Sequence, residues 1–384
     1  MDLIAFKHEL IDYSQRIGID KIGFTTADPF VELKARLYQQ RTLGYQSGFE
    51  EKDIERRTEP RAIMPEARSI ISIALAYPTK MENRPKNTRE KRRGNFARAS
   101  WGQDYHDVLR SRMEQLMAFI SKHIPDALIE SMVDTGALSD RAVAERAGIG
   151  FVGKHTNLIT KDYGSYVYLG EMLTNIPFHP DQPVENLCGD CNLCVDKCPS
   201  GALVQGGQLN AQKCIAFLTQ KKDFIPEPYR KLIGNRVYGC DTCQQVCPYN
   251  RGMNVHHHME MEPDPEKVKP ELKSLLHMSN RQFRETFGEM AGSWRGKKPI
   301  QRNAIIALGN YKDATAVDDL LDCMEKDPRP VIRGTAAWAL GEIAKQEPKV
   351  YDKVSERLKH ALEQEVDPQV LREIKHSLTH LLEK

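Results

Sequence analysis

The stretch "CGDCNLCVDKCPSGAL", residues 188–203, places four cysteines within eleven positions and follows the last of them with a proline. Its spacing, C-x2-C-x2-C-x3-C-P, is typical of bacterial ferredoxins that hold two 4Fe–4S clusters. A second group of cysteines also ends in a proline, in "YGCDTCQQVCPYN", residues 238–250. Eight of the nine cysteines lie between residues 188 and 247. The pattern therefore predicts a ferredoxin-like domain with two clusters, over residues 181–255.

The order of the cysteines predicts which cluster each one binds, because in such ferredoxins the fourth cysteine of a run ligates the other cluster. The predicted ligands are Cys188, Cys191, Cys194 and Cys247 for cluster one, and Cys198, Cys214, Cys240 and Cys243 for cluster two. Two zinc sites are the alternative, but zinc uses paired C-x2-C motifs and needs neither the third cysteine nor the proline. The ninth cysteine, Cys323, lies alone on an apolar helical pattern and is a predicted core residue.

The second cysteine run contains an insertion, since Cys214 lies 26 positions before Cys240. Such an insertion is longer than a bare electron carrier needs, and it suggests that cluster two faces another part of the molecule. Roughly 185 residues precede Cys188. We therefore expect the N-terminal region to contain the site that receives the electrons.

Length and composition set the general class of the protein. A chain of 384 residues predicts about two or three domains. No segment approaches the roughly 20 apolar residues of a membrane helix, and the first residues lack the apolar core of a secretory signal. Together with the cysteine pattern, this predicts a cytoplasmic protein without a membrane segment. Because the formal net charge is only +2, any affinity for nucleic acid must come from local basic patches.

Residues 1–180 predict an α/β domain with a mixed sheet. Helical spacing occurs in three segments and strand-like apolar runs in five. The predicted helices are "DLIAFKHELIDYSQRI", "YHDVLRSRMEQLMAFISKHI" and "LSDRAVAERAGI", and the predicted strands are "KIGFTTA", "SIISIALAYP", "ALIESMVD", "NLIT" and "SYVYLGEMLT". No G-x-G-x-x-G follows a strand and no Walker lysine loop occurs, so binding of NAD or ATP is poorly supported.

Asp134 ends the predicted strand "ALIESMVD" and enters the loop "TGALSD". The carboxyl ends of strands in α/β sheets are where such folds bind ligands. An apolar approach would raise the pKa of this carboxyl and make it a proton donor. The alternative is a loop or helix-capping acid, and position alone favours that alternative. Ser139 or Asp140 is expected to cap the next helix.

The segments "VDTGALSDRAVAERAGIGFVGKHTNLI" and "GCDTCQQVCPYN", with the first cysteine run, resemble the epoxyqueuosine reductase family over about residues 1–290. These are iron–sulfur, cobalamin-dependent tRNA-modification enzymes, distantly similar to reductive dehalogenases. The resemblance implies a base-off cobalamin between the α/β domain and the clusters. It also implies the two-electron reduction of epoxyqueuosine, at the tRNA wobble position, to queuosine. Asp134 matches the proton donor of the family, whereas His155 stands where we expect asparagine.

The resemblance also implies an external low-potential electron donor, and we expect a monomer. Ordinary packing or surface roles are the alternative for the residues expected to contact the corrin ring. These residues are Arg57, Ala97, Asp134, Leu158, Ser165 and Asp241.

The C-terminal region predicts a separate helical module. "DPRPVIR" and "DPQVLR" recur at about 39 residues, the period of HEAT repeats. We therefore expect a linker and helical extension over residues 256–294, followed by HEAT-like repeats that form a tRNA-binding cap over residues 295–384. The segment "GSWRGKKPIQR" supplies the predicted phosphate contacts beside Trp294, with a solvated basic linker as the alternative. The predicted tRNA-binding residues are Arg295, Lys297, Lys298 and Arg302.

Two further polar segments stand out. The basic run "NRPKNTREKRRGNFAR" either guides the anticodon stem or forms a surface loop. The three adjacent histidines in "NVHHHMEMEPDPE" have no ligand spacing to a partner, so they are predicted to be solvated.

Two other functions fit part of the sequence. One is a dehalogenase-like corrinoid reductase of a small organic substrate, which would need neither the HEAT-like cap nor the basic stretches. The other is a non-enzymatic ferredoxin-type electron-transfer subunit, which would bind no corrinoid and give Asp134 no role. Tight co-purification of cobalamin would exclude the second.

Overall fold

The computed structural model describes residues 2–383 and contains short strands among many helices. The strands are β1 (Lys21–Thr26), β2 (Ser69–Ala76), β3 (Asn95–Phe96), β4 (Ile129–Met132), β5 (Phe151–Val152), β6 (Leu158–Ile159), β7 (Val167–Thr174), β8 (Leu203–Gln205), β9 (Gln208–Leu209) and β10 (Arg236–Tyr238). The helices are α1 (Leu3–Arg16), α2 (Val31–Thr42), α3 (Ile54–Thr58), α4 (Pro60–Ile63), α5 (Tyr105–His123), α6 (Asp140–Arg146), α7 (Leu193–Asp196), α8 (Ile215–Leu218), α9 (Glu227–Ile233), α10 (Thr242–Gln245), α11 (Pro265–Val268), α12 (Leu272–His277), α13 (Asn280–Phe287), α14 (Lys297–Tyr311), α15 (Val317–Lys326), α16 (Pro330–Ala344), α17 (Pro348–Gln364) and α18 (Pro368–Leu382).

The chain divides into two units, and each unit is assembled from separate segments. The first unit comprises Met1–Lys80, Gly102–Cys214 and Asp241–Glu262, and the second comprises Met81–Trp101, Ile215–Cys240 and Pro263–Lys384. The insertion between Cys214 and Cys240 therefore belongs to the second unit, together with the C-terminal helices.

The first unit is built on a four-stranded sheet with the order β1-β2-β7-β4. All three strand pairs are antiparallel, whereas the sequence predicted a mixed sheet. All eight residues of β2 are buried, and such a continuous apolar run is as typical of a parallel strand as of a covered antiparallel one. The run therefore predicts burial on both faces but not strand direction. The predicted strand "NLIT" was also misplaced, because β6 pairs with β5 outside this sheet.

The two long helices α1 and α5 of the first unit begin at residues whose side chains cap them. The carboxylate of Asp2 accepts hydrogen bonds from the backbone N–H groups of Ile4 and Ala5 at the start of α1. Asp104 caps α5 in the same way, through the N–H of His106. Such caps satisfy N–H groups that have no partner within the helix. The cap of α5 therefore also fixes the position of His106, which lies in the first turn.

The C-terminal helices of the second unit form the stacked pairs that the repeat predicted. Helix α16 packs against α14, α15, α17 and α18, and nearly all of its residues are buried. Small residues allow this approach, since a side chain on Gly309 of α14 would lie 2.9 Å from the ring of Trp338. The helices of this unit share one hydrophobic cluster, which also includes the predicted core residue Cys323.

Among residues 2–383, no helix is both long enough and apolar enough to cross a bilayer.

Candidate active site and iron–sulfur ligands

Asp134 lies just beyond β4, in the loop that leads to α6. Its backbone has a left-handed conformation, with φ of 47°, which is uncommon for a residue other than glycine. The backbone N–H of Asp134 donates to Oδ2 of Asp140 at 2.8 Å. Its own carboxylate is exposed and lies with Oδ2 3.6 Å from Nε2 of His106. Strained residues of this kind are concentrated at functional sites, where surrounding contacts hold them in place.

The charge of Asp134 differs from the sequence-based expectation. A hydrogen bond with His106 holds the pKa of the Asp134 carboxyl below its usual range. Burial disfavours the protonated imidazole of His106, but Asp104 and Asp134 outweigh this and raise the pKa of His106 to about 9. The pKa of Asp134 is therefore not raised, because the hydrogen bond with His106, with those of other neighbours, outweighs the burial of the carboxyl. At neutral pH, Asp134 and His106 form an ion pair that holds one proton.

His106 is a site residue that the sequence analysis missed. Its Nδ1 lies 2.7 Å from Oδ1 of Asp104, so the imidazole is held between two carboxylates. In the sequence, "QDYHD" shows only a helix N-cap followed by a histidine. Nothing in that pattern indicates that Asp134, 28 positions later, lies beside it.

Two further acids interact with Asp134, namely Asp140, which is partly buried, and Glu171, which is fully buried. Burial and the nearby charge of Asp134 raise the pKa of Asp140 to about 6. Burial, with the charges of Asp140 and Asp134, raises the pKa of Glu171 on β7 well above its usual value. The site thus combines the ionised carboxylate of Asp134 with the carboxyl groups of Asp140 and Glu171, whose pKa values are raised.

A cavity of about 950 Å³ lies within the first unit. This is near the upper end of the range of about 300–1,000 Å³ found for cofactor and ligand pockets. Its lining includes residues of α2 and α6 and the segment around Tyr45. The basic groups are Arg36, Arg57, Arg141 and Arg146, and the acidic groups are Glu32, Glu50 and Glu145. Burial lowers the pKa of Arg57 and of Arg141, and the two guanidinium groups also repel each other. A ligand with anionic or carbonyl groups would therefore be favoured there.

The residues expected to contact the corrin ring lie in different parts of the structure. Arg57 lines the cavity, as just described, whereas Leu158 and Ser165 do not. Leu158 packs into a small apolar cluster with Ala74 and Ile149. Asp241 begins α10 in the first unit, and Ala97 precedes a 3₁₀ turn in the second.

Ser165 takes part in a buried hydrogen-bond network with the cysteine-containing segment. Its hydroxyl accepts hydrogen bonds from Asn250 Nδ2 at 2.8 Å and from Gln244 Nε2 at 3.1 Å. Its backbone N–H donates to Asn250 Oδ1 at 2.7 Å. Gln244 and Asn250 flank Cys247, so this network fixes the backbone around a predicted cluster ligand.

The structure brings the four predicted ligands of cluster one together. Burial raises the pKa of Cys194, and nearby Cys247 and Cys188 raise it further. Burial likewise raises the pKa of Cys247, with Cys188 and Cys191 as neighbouring charges. Cys247 packs against Phe151 and Ile159, whereas Cys191 is exposed. The four thiols thus form a group with one apolar side and one side open to solvent.

The predicted ligands of cluster two belong to segments of both units. Cys198, Cys214 and Cys243 belong to the first unit, and Cys240 ends a segment of the second. Burial raises the pKa of Cys198, but backbone N–H groups of Leu203, Ser200 and Ala202 outweigh it and lower the pKa overall. The N–H of Ala202, for example, lies 3.3 Å from this sulfur. These donors favour a thiolate, which is the form that binds metal.

Arg302 does not lie on the surface, so its predicted contact with tRNA phosphate was wrong. Its side chain is fully buried in the second unit. The guanidinium donates to the carbonyl oxygens of Lys221 at 2.5 Å, Asp223 at 2.6 Å and Leu218 at 3.0 Å. Arg302 thus binds the insertion that follows Cys214, where several backbone carbonyls have no helical partner.

The other predicted tRNA-binding residues are partly exposed. Arg295 donates to the carbonyl of Gln220 at 3.1 Å and lies over the ring of Trp294. Nζ of Lys297 donates to the carbonyl of Met278 at 2.7 Å. Lys298 is also partly exposed. Part of the basic segment therefore has a structural role within the second unit.

Arg302→Ala should destabilise the second unit more than an exposed substitution does. An unpaired buried acceptor costs about 1–3 kcal/mol, so the loss of several pairings is expected to cost about 3 kcal/mol or more. Thermal and denaturant unfolding of the anaerobic protein would measure the change. Arg281→Ala is the matched control, because Arg281 is exposed and pairs with Glu285 on its own helix. Equal stability of the two variants would contradict the structural role of Arg302.

The three adjacent histidines were predicted to be solvated, and this was wrong for His258. His258 is buried, and its Nε2 lies 2.7 Å from Oδ2 of Asp20. His257 approaches the other oxygen of Asp20 at 2.6 Å. The partner carboxylate lies more than 200 positions away in the sequence, so no local spacing could indicate it. His155 is also buried, and burial lowers its pKa to about 4.

Comparison with known families gives three matches along the chain. Residues 57–135 match the family described as "Epoxyqueuosine reductase QueG, DUF1730". Residues 187–250 match a 4Fe-4S double cluster binding domain, and residues 295–378 match HEAT repeats. The α/β, double-cluster and HEAT-repeat parts of the predicted fold class are thereby confirmed.

Relatives similar over nearly the whole chain carry one name. An epoxyqueuosine reductase of Bacillus cereus is 60% identical over 384 residues, which is 100% of both chains. A solved epoxyqueuosine reductase with a tRNA-Tyr epoxyqueuosine-modified tRNA stem loop is 58% identical, with a TM-score of 0.96, and the match covers 99% of this chain and 100% of that one. A Bacillus subtilis epoxyqueuosine reductase, with the Asp134 catalytic loop swung out of the active site, is 57% identical with a TM-score of 0.95, over 99% and 100% of the two chains.

Proposed function

Because this chain belongs to the epoxyqueuosine reductase family, and is thus an oxidoreductase, we propose that it reduces epoxyqueuosine at the tRNA wobble position to queuosine. The observation that carries this proposal is the identity of 60% along the full chain. The related structure with a modified tRNA stem loop supports tRNA as the partner. We further propose an external low-potential electron donor and a monomer that works in the cytoplasm.

Asp134 is the proposed proton donor for the departing epoxide oxygen. Conversion of an epoxide to an alkene with loss of water consumes two electrons and two protons. Because Asp134 is ionised at neutral pH, the proton that it donates would come from the imidazolium of His106, whose Nε2 lies 3.6 Å from Oδ2 of Asp134. The Bacillus subtilis relative is described with an Asp134 catalytic loop, and aspartate occupies position 134 here as well.

Cobalamin is the proposed cofactor, and the arginine-rich cavity of the first unit fits a large cofactor with amide and phosphate groups. Arg57 and Arg141 are the side chains proposed to hold such groups, since both line the cavity and Arg57 is partly buried. When bound, cobalamin would supply a strongly reducing cobalt centre. The proposed contacts of Ala97, Leu158, Ser165 and Asp241 would be made by backbone groups or small side chains.

The eight cysteines are the proposed ligands of two 4Fe–4S clusters in the sets given above. The exposed position of Cys191 offers a side of cluster one to an external donor. The apolar packing of Cys247 against Phe151 and Ile159 shields the opposite side from water. An external donor would therefore reach a cluster held by these cysteines from the side of Cys191.

Lys297→Ala with Lys298→Ala should weaken tRNA binding and flatten its salt dependence. Each lost phosphate contact lowers the slope of log K against log salt by about 0.9. Titration of the stem loop at several salt concentrations would measure both quantities. Lys326→Ala with Lys353→Ala is a charge-matched control in the same unit, because both side chains are exposed. Coincident curves for the wild type and the Lys297 and Lys298 variant would mean that another surface binds tRNA.

The proposed reaction can be tested directly. The anaerobic protein, with both clusters and cobalamin, is incubated with a low-potential reductant and tRNA that contains epoxyqueuosine, and the nucleosides are then analysed by mass. We expect queuosine to form. Absence of queuosine from fully loaded protein would reject the proposed reaction.

A further inference from the structure

Glu171 and Ser72 are buried polar side chains at the centre of the main sheet, and both are fully buried. Within residues 2–383, the two carboxyl oxygens of Glu171 have no hydrogen-bond partner. The hydroxyl of Ser72 has none either. Strand register places Ser72 of β2 directly opposite Glu171 of β7, so the two side chains are neighbours on one face. An unpaired buried polar group is costly, so this pair calls for an explanation.

The shared face is the one that α6 covers. On one side of the pair, Ile70 and Leu173 belong to an apolar cluster with Val143 of α6. On the other side, Ala74 and Ala144 belong to a second cluster. Because side chains two positions apart in a strand point the same way, Ser72 and Glu171 lie between these clusters and beneath α6.

Asp140, the first residue of α6, connects this buried pair to the active site. Its Oδ2 accepts the backbone N–H of Asp134, which holds Asp134 in its left-handed conformation. The titratable neighbours that raise the pKa of Glu171 are Asp140 and Asp134, and both are acidic. The strand neighbours of Glu171 are Ser72 on β2 and Met132 on β4, and neither carries a charge.

We propose that Glu171 is a positioning residue for Asp134, acting as a neutral carboxylic acid that donates its O–H to a bound water shared with Ser72 and Asp140. A water with three polar partners is typical of a buried site. Through this water, Glu171 orients the Asp140 carboxylate, which in turn holds the Asp134 loop toward His106. The raised pKa of Glu171 supports the neutral form at neutral pH. This inference rests on the proposed role of Asp134.

Two substitutions at position 171 separate positioning from other roles. Glu171→Leu removes the donor and should lower kcat about 10- to 100-fold, as is usual for residues that orient a functional group, with KM for tRNA unchanged. Glu171→Gln keeps a neutral donor and should recover most of that loss. Equal loss in both variants would overturn the proposal, because it would mean that the proton of Glu171 is itself transferred. Wild-type kcat in Glu171→Leu would overturn it as well.

Hydrogen exchange of the peptide over residues 133–139 provides a readout that does not require turnover. In the holoenzyme, exchange should be faster in Glu171→Leu than in the wild type, and near the wild type in Glu171→Gln. If Glu171→Leu does not fold, Ser72→Val replaces it, and the same faster exchange is expected because one water partner is lost. Unchanged exchange would overturn the proposal. Failure of the wild type to form queuosine would instead reject the proposed function.

Discussion

Asp134→Asn is expected to lower turnover by about two to four powers of ten, the usual contribution of general acid catalysis. Asparagine has nearly the same shape, tolerates the left-handed backbone, and keeps the N–H that donates to Asp140. It carries no charge, so it can neither pair with the His106 imidazolium nor release a proton. Iron content and corrinoid spectra should match the wild type, because the change leaves the cysteines and the cavity intact. Single-turnover kinetics with the loaded enzyme would measure the loss.

Asp107→Asn is the matched control for this substitution. Asp107 lies in the first turn of α5, is exposed, and pairs only weakly with Arg110 at 3.4 Å. Its replacement should leave turnover near the wild type. If Asp134→Asn behaved like Asp107→Asn in fully loaded protein, Asp134 would be a structural loop residue.

Cys247→Ser is expected to abolish turnover and to lower the iron content from about eight to about four atoms per chain. Cys247 lies beside Cys188 and Cys191, and it packs against apolar side chains. Without its thiolate, cluster one would be bound too weakly to remain in place. Serine has the right size but does not replace the thiolate as a ligand. Iron and sulfide analysis after anaerobic reconstitution, with electron paramagnetic resonance of the reduced protein, would measure the change.

Cys323→Ser provides the control for the loss of a cysteine. Cys323 is buried in the helical unit, where burial raises its pKa to about 12. Its replacement should cost some stability but no iron. Retention of about eight irons by Cys247→Ser would remove Cys247 from the proposed ligand set.

The parts of the fold that could be predicted depend on residues close together in the sequence. Cluster binding needs several thiolates within a short loop, so the cysteine spacing is visible in the sequence itself. The HEAT repeat is likewise visible, because each repeat buries the same helix face. Helix α5 was predicted from residue 105, where the structure begins it, since its apolar positions recur at helical spacing.

The errors concern residues whose environment is set by distant parts of the chain. Arg302 looks like a surface cation in "GSWRGKKPIQR", yet carbonyls 79–84 positions away surround it. His258 looks solvated, yet it meets Asp20, which is 238 positions away. The side chain alone does not indicate its neighbours, and burial of a polar group depends on whether those neighbours satisfy its hydrogen bonds.

The sequence by itself determined the iron–sulfur motif and the α/β and helical parts of the chain, and it singled out position 134 as a candidate. Spacing, periodicity and a family pattern are enough for these, because they depend on residues close together in the chain. Only the tertiary structure decided strand direction, the insertion's place in the second unit, and the pairing of Asp134 with His106. The charge of that site follows from groups on β7, α5 and α6, whose electrostatic interactions appear only once the chain has folded.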